Sequence, residues 1–289
     1  MDSYLVGLVG TGIGPSLSPA LHEREADLLG LRYLYRRLDL GDLALAAEAV
    51  GDVIAAARLA GYDGVNVTHP CKQLVLAHLD QLDSTAAALG AVNTVVFRDG
   101  EAMGYNTDTT GFARAVRTGL PGARLAHVVL LGAGGAGAAC AHALLGLGAG
   151  RVDVFDLEPA RAAALAGQLG ERVVVGRELE DALASADGLV HATPTGMHEH
   201  PGLPLPADLL DPRIWVADVV YRPLDTALVH AARARGCRVL DGGRMAVYQA
   251  ADAFRLFTGR TPDADRMLGH FATLEDIPEQ LLETPCPTP

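Results

Sequence analysis

Short apolar runs, bounded by glycine or proline and followed by stretches of helical periodicity, recur along the 289-residue chain. Tyr4–Val9 is an apolar run ending in a glycine-rich turn, and Arg32–Leu38 alternates polar and apolar side chains; both predict strands. Ser18 then Pro19 reads as an N-cap with proline at the first helical position and predicts a helix through about Leu29. Asp42–Ala60 carries an Ala/Leu/Val stripe at helical spacing, with Gly61 as the stop. Gly64–Thr68 predicts a buried strand, with Pro70 opening the next helix. Val92–Phe97 and Glu101–Tyr105, joined through Asp99–Gly100, predict a β-hairpin.

The pattern changes after Gly119–Gly122, the best boundary between the halves. From His127 to about Leu240, β and α signals alternate as in βαβ units, which implies a parallel sheet. Helical regions follow at Ala246–Thr258 and near Asp263–Ala272, and the Pro-rich Thr284–Pro289 is expected to be a frayed tail. The expectation is an α/β protein of two domains around a cleft. One is a Rossmann-type dinucleotide-binding domain over residues 109–241. The other is a discontinuous α/β substrate domain over 1–108, completed by 242–289.

Composition narrows the class. Apolar residues make up 49% and charged residues 20%, as in a soluble globular chain, and the net charge is -12. An acidic chain is a poor partner for nucleic acid or an anionic membrane, which both need a basic face, and neither is expected to bind. A few local donors can still hold one carboxylate. The chain contains no run of about 18 apolar residues, so no membrane-spanning helix is expected. The N-terminus lacks a basic region and a cleavage site, so a cytoplasmic protein is expected. Cys71, Cys140, Cys237 and Cys286 form no close pair at metal or redox spacing.

The strongest local signal is His127–Leu131, a buried strand running into Gly132-Ala133-Gly134-Gly135-Ala136-Gly137 and a helical segment Ala138–Leu147. Glycines at 132, 134 and 137 meet the needs of a dinucleotide loop: a tight turn, backbone close to the pyrophosphate, and close strand–helix packing. The pyrophosphate then rests on the helix N-terminus. The next strand, Val152–Asp156, ends in an acid 19 residues after Gly137, where a ribose-binding carboxylate is expected. A carboxylate there accepts from a ribose 2′-hydroxyl and repels a 2′-phosphate, so Asp156 favours NAD over NADP. Glu158 adds negative charge nearby, and Arg161, a turn into the next helix, could offset some of it.

Oxidation of an alcohol needs a group that takes the hydroxyl proton. Two segments outside the βαβ half end strands with suitable residues: Asn66–Lys72 and Gly104–Asp108. A lysine partly withdrawn from water loses its proton more readily, and a neighbouring carboxylate counteracts this and holds it in place. Lys72 with Asp108 is therefore a candidate relay, although composition alone favours a surface lysine and a helix-capping aspartate. His69, His191, His198 and His200 lack ligand spacing backed by carboxylates and read as non-ligands, so no metal is expected.

Eight blocks, in order, resemble the shikimate/quinate dehydrogenase family. They are Ser16-Leu17-Ser18-Pro19 with His22, Asn66–Lys72, Gly90–Thr94, Asn106–Asp108, the glycine loop, Ala192–Met197, Asp218–Tyr221, and Gly242–Gln249. Asp156 further resembles the NAD-using quinate/shikimate branch. The resemblance implies reversible oxidation of the C3 hydroxyl of shikimate or quinate, with Lys72 and Asp108 as the catalytic pair. It implies Ser16 and Ser18 as carboxylate ligands, with Thr68, Asn93, Tyr221 and Gln249 as further substrate contacts. The cofactor would meet Gly132–Gly137, Asp156, Arg161, Thr193, Val219, Gly242 and Met245. Three departures bear on substrate preference: Pro15 where the family has His, Gly12-Ile13-Gly14 in place of an Asn-Pro turn, and Cys71 at a usually aromatic position. An aminoshikimate dehydrogenase, or a non-catalytic sensor binding NAD and ligand, are the alternatives. A monomer or homodimer is expected.

Overall fold

The structure, a computed structural model, describes residues 2–275. The Pro-rich segment expected to form a tail, and Cys286, lie outside the described residues. The chain divides into two compact units: residues up to Thr107 together with those from Ala250 onward, and Asp108–Gln249.

The first unit opens with β1 (Ser3–Gly10), α1 (Ser18–Leu28) and β2 (Arg32–Asp39). Next come α2 (Val50–Leu59), β3 (Gly64–Val67), β4 (Gln81–Leu82), α3 (Ser84–Leu89), β5 (Thr94–Arg98) and β6 (Glu101–Tyr105). The six strands form one sheet in the order β2-β1-β3-β5-β6-β4. β1 pairs in parallel with β2 and β3, whereas β5 runs antiparallel to β3 and β6. Alternation along β1 covers both faces: Val9 packs with Ile54, Val65 and Val75, and Val6 and Leu8 pack with Tyr35 and Phe257.

The second unit begins within α4 (Thr107–Gly119) and continues through β7 (His127–Leu131), α5 (Gly135–Gly146), β8 (Arg151–Phe155), α6 (Pro159–Leu169) and β9 (Val173–Val175). It then runs α7 (Leu179–Ser185), β10 (Gly188–His191), β11 (Trp215–Asp218), α8 (Ala227–Ala234), β12 (Arg238–Leu240) and into α9 (Gly242–Thr258). α10 (Ala264–Glu275) returns to the first unit. The second sheet, β12-β11-β10-β7-β8-β9, is parallel throughout. Its order reverses between β7 and β10, the switch point at which such sheets bind ligands beyond their strand ends. Strands buried on both faces explain the continuous apolar runs, with Val129, Leu189 and Val216 packed against Leu183, Leu210 and Leu228.

Several element boundaries depart from the sequence expectation. Ser18 is not the N-cap of α1: Leu17 holds that position, and Ser18 is already in the first turn. The expected helix Asp42–Ala60 shrinks to a 3-10 turn at Ala47–Ala49 and α2, because Ala44 adopts a positive φ of 53° that no α-helix passes through. Pro70 opens no α-helix; a turn leads into a 3-10 helix at Leu74–His78. α5 and α9 each start earlier than expected, at Gly135 and Gly242.

Candidate active site

Within the first unit, the candidate substrate residues lie beyond the C-terminal ends of the adjacent strands β1 and β3. Asp39 shapes the first of these loops, its carboxylate accepting from the amides of Gly12 (3.2 Å), Ile13 (2.7 Å) and Gly41 (2.9 Å). Ser16 and Ser18 follow, both half-buried, and the Ser16 hydroxyl accepts from the Ser18 amide at 3.3 Å. Arg37 donates to the Ser16 carbonyl at 2.9 Å. Burial lowers the pKa of this guanidinium, and its Nε has no partner among the described residues. A partly buried cation bonded to the Ser16 backbone suits a nearby carboxylate ligand, and the sequence does not single it out, since Arg36-Arg37 reads as an ordinary polar pair.

The second loop is tied to the first through backbone: the Thr68 amide donates to Val9 O (2.9 Å) and the Thr11 amide to His69 O (3.1 Å). Half-buried Lys72 lies in this turn, and its carbonyl accepts from the Val92 amide at 2.8 Å. Asn93 holds the start of α4, with Oδ1 accepting from the Thr107 amide at 2.7 Å and Nδ2 donating to the Thr107 hydroxyl at 2.9 Å. Behind it, buried Asn66 links Tyr35 (2.8 Å) to the Thr94 hydroxyl (3.0 Å). Asn66 and Thr107 were visible only as parts of motifs; their bonds join residues distant in sequence.

Within the second unit, Asp108 is buried in the first turn of α4. A Cβ on Gly111, one turn later, would lie 2.7 Å from the Gln249 amide nitrogen, so α4 and α9 approach closely at Gln249. The Gln249 side-chain nitrogen donates to Ala246 O at 2.9 Å. Gly242 leaves no room for a side chain against the Val219 and Val220 carbonyls, which brings Val219 to the first turn of α9, where Met245 is also buried. Tyr221 lies just beyond, half-buried.

The glycine loop has the shape a dinucleotide needs. Gly132 turns at a φ of +99° with a Cβ position 2.6 Å from Ala192 O, and a Cβ on Gly137 would collide with the Gly132 carbonyl. In front of Gly134 nothing lies within 4 Å of the Cβ position, so ligand space opens at the N-terminus of α5. Ala133, Gly135 and Ala136 complete the turn, each partly exposed. Asp156 follows β8 with its carboxylate accepting from the amides of Ala133 (2.8 Å) and Glu158 (2.9 Å), which pins it over the loop. Arg161 is exposed and paired with Glu158 at 2.8 Å.

Across the switch point, Thr193 lies 3.0 Å (Cγ2) from a Cβ on Gly132. Its hydroxyl is 2.6 Å from His191 Nε2, and His191 Nδ1 is 2.9 Å from Asp218. His191, read from sequence as a non-ligand, thus belongs to a buried polar chain. Among the described residues no group of three His, Cys, Asp or Glu side chains could hold a metal ion, and no helix is long and apolar enough to cross a membrane.

Comparison with known proteins agrees with this arrangement. Residues 8–95 match the shikimate dehydrogenase substrate binding domain, 102–203 the alanine dehydrogenase/PNT C-terminal domain, and 243–269 the shikimate 5'-dehydrogenase C-terminal domain. The shikimate dehydrogenase (NADP(+)) of Streptomyces avermitilis is 64% identical over 94% of this chain and 96% of its own. The quinate/shikimate dehydrogenase (NAD(+)) of Corynebacterium efficiens is 49% identical over 94% and 99%. The quinate dehydrogenase from Corynebacterium glutamicum, solved in complex with NAD, superposes with a TM-score of 0.88 at 46% identity, covering 94% of this chain and 100% of that one. The chain belongs to the shikimate dehydrogenase family, and its second unit is the nicotinamide-dinucleotide domain of a shikimate/quinate-type oxidoreductase.

Proposed function

We propose that this shikimate/quinate-type dehydrogenase oxidises the C3 hydroxyl of shikimate, quinate or both, reversibly, with NAD as the preferred cofactor. The carboxylate of Asp156 carries the cofactor choice. Two backbone amides hold it over the glycine loop, and each oxygen keeps a lone pair for a ribose hydroxyl. The nearby cation that could answer a 2′-phosphate, Arg161, is engaged by Glu158. The names of the relatives point both ways: NADP(+) at 64% identity and NAD(+) at 49%.

The dinucleotide, when bound, supplies the hydride acceptor. Gly132–Gly137 hold its diphosphate, Asp156 its adenosine ribose, and Thr193, Val219, Gly242 and Met245 line its remainder. Ser16 and Ser18 bind the acid group through hydroxyls, which orient an anion without a salt bridge. Thr68, Asn93, Tyr221 and Gln249 receive the ring hydroxyls. Lys72 takes the C3 hydroxyl proton in oxidation and returns it in reduction, and Asp108 supplies the carboxylate that orients it.

Steady-state kcat/KM for shikimate and quinate with both cofactors tests this reading. Like charges about 4 Å apart cost on the order of 4 kcal/mol at an effective dielectric near 20, so even a heavily screened fraction gives the parent at least a tenfold preference for NAD. Asp156→Asn is expected to narrow that gap by weakening NAD and relieving NADP. A parent enzyme that prefers NADP overturns the assignment.

A further inference from the structure

We infer that His191 and Asp218 fix the hydroxyl of Thr193 as a hydrogen-bond acceptor toward the cofactor. Thr193 then receives a donor from the nicotinamide half of the dinucleotide, a ribose hydroxyl or the carboxamide N–H, and makes no bond to the diphosphate. The inference rests on the proposed placement of Thr193 at the cofactor.

The polarity is read from the far end of the chain of bonds. The Val229 amide donates to Thr226 Oγ1 at 3.1 Å, which leaves the Thr226 proton for Asp218 Oδ2 at 2.7 Å. The Val220 amide donates to Asp218 Oδ1 at 3.0 Å. A carboxylate has no proton to give, so His191 Nδ1, 2.9 Å from the same Oδ1, is a donor. His191 and Asp218 are register partners on β10 and β11, and both side chains are 0% exposed, so water cannot substitute for either. In the neutral tautomer that carries its proton on Nδ1, the form on which the inference stands, Nε2 is bare. Thr193 Oγ1 lies 2.6 Å from that nitrogen and donates its only proton there.

What remains on Thr193 are two lone pairs. One takes the Thr195 amide at 3.3 Å, which leaves the other for a ligand on a half-buried side chain beside Gly132. A diphosphate offers only acceptors, so it has nothing to give such an oxygen. The ribose hydroxyls and the carboxamide both do. His191 and Asp218 are therefore positioning residues that act through Thr193, and the contact they impose has one allowed direction.

Two measurements test this on the full chain. The first is the ring ¹⁵N spectrum of His191 without cofactor, assigned through its backbone connectivity. A protonated Nδ1 and a bare Nε2 are expected; an imidazolium or an Nε2–H ring overturns the inference. This needs no variant, so it decides the polarity even where a substitution prevents folding. The second is the dissociation constant, by calorimetry, of the nicotinamide dinucleotide and of its 3-acetylpyridine analogue, which replaces the carboxamide NH2 by a methyl group. Thr193→Val is expected to weaken the natural dinucleotide about tenfold, and Thr193→Ser to restore it, as loss and return of one hydrogen bond. If the donor is the carboxamide, the parent binds the analogue about tenfold more weakly and Thr193→Val removes that difference. If it is a ribose hydroxyl, the parent binds both alike and Thr193→Val weakens both. Unchanged affinity in Thr193→Val overturns the inference, and a parent that binds neither dinucleotide removes the cofactor placement on which it stands.

Discussion

His22 lies among Tyr33, Tyr35, Phe254 and Phe257, is 1% exposed, and bonds through Nδ1 to the Tyr33 hydroxyl at 3.0 Å. Burial lowers its pKa to about 3. The folded ring thus stays neutral down to that pH, whereas the unfolded one takes up a proton below about 6.5. The unfolded state binds more protons in the window between, so stability falls as pH drops from 6.5 toward 3, by up to about 1.4 kcal/mol per pH unit. His22→Phe removes this dependence while losing the Tyr33 bond at every pH. Urea unfolding at pH 7.5 and 4.5 is expected to bring the variant closer to the parent, or above it, at the lower pH; a constant difference refutes the assignment. At Lys72 the expected effect is on rate. Lys72→Ala lowers turnover about 10²–10⁴-fold, the usual share of a positioned acid or base, with unchanged circular dichroism. A loss below tenfold in a folded variant refutes the role.

At the scale of elements, legibility in the sequence followed the distance over which each element is specified. β7, the glycine loop and β8 with Asp156 were legible because an apolar run, three glycines and an acid lie within 30 residues and each has a local reason. The hairpin of β5 and β6 was legible through Asp99–Gly100, both at positive φ. β4 has two exposed residues, too few for a period, and exists because β6 offers it an edge. α3 is six residues long, and its marks, the Asp83 cap and a left-handed Gly90, lie in a stretch without helical periodicity. The Asp42–Ala60 stripe misled for the opposite reason: its apolar spacing was right, but the chain turns back at Ala44. Ser18 lies one position past the N-cap at Leu17, so its hydroxyl does not cap the helix. The His191–Asp218 pair could not be read at all. Its members are 27 residues apart and meet only because β10 and β11 are neighbours in register.

Charge belongs to the whole molecule, and it opposes the anionic ligands proposed for the site. The net charge is -12, whereas an acid substrate and a dinucleotide are both anions. A unit negative charge about 20 Å from twelve like charges in water is repelled by on the order of 2 kcal/mol without screening. At an ionic strength near 0.01 M the Debye length is about 30 Å and much of this repulsion survives; at 0.15 M it is about 8 Å and little does. In the proposed site, local groups would work the other way: Lys72 and the amides of the glycine loop would act on the ligands at short range, where salt screens weakly, with Arg37, bonded to the Ser16 carbonyl, behind them. Salt should therefore suppress the unfavourable long-range part more than the favourable local part. The expected outcome is a kcat/KM for shikimate or quinate that rises roughly threefold from 0.01 to 0.15 M salt, carried by KM rather than kcat. A protein that steers its substrate electrostatically gives the reverse slope. A kcat/KM that falls over this range would mean that a local positive field outweighs the acidic surface.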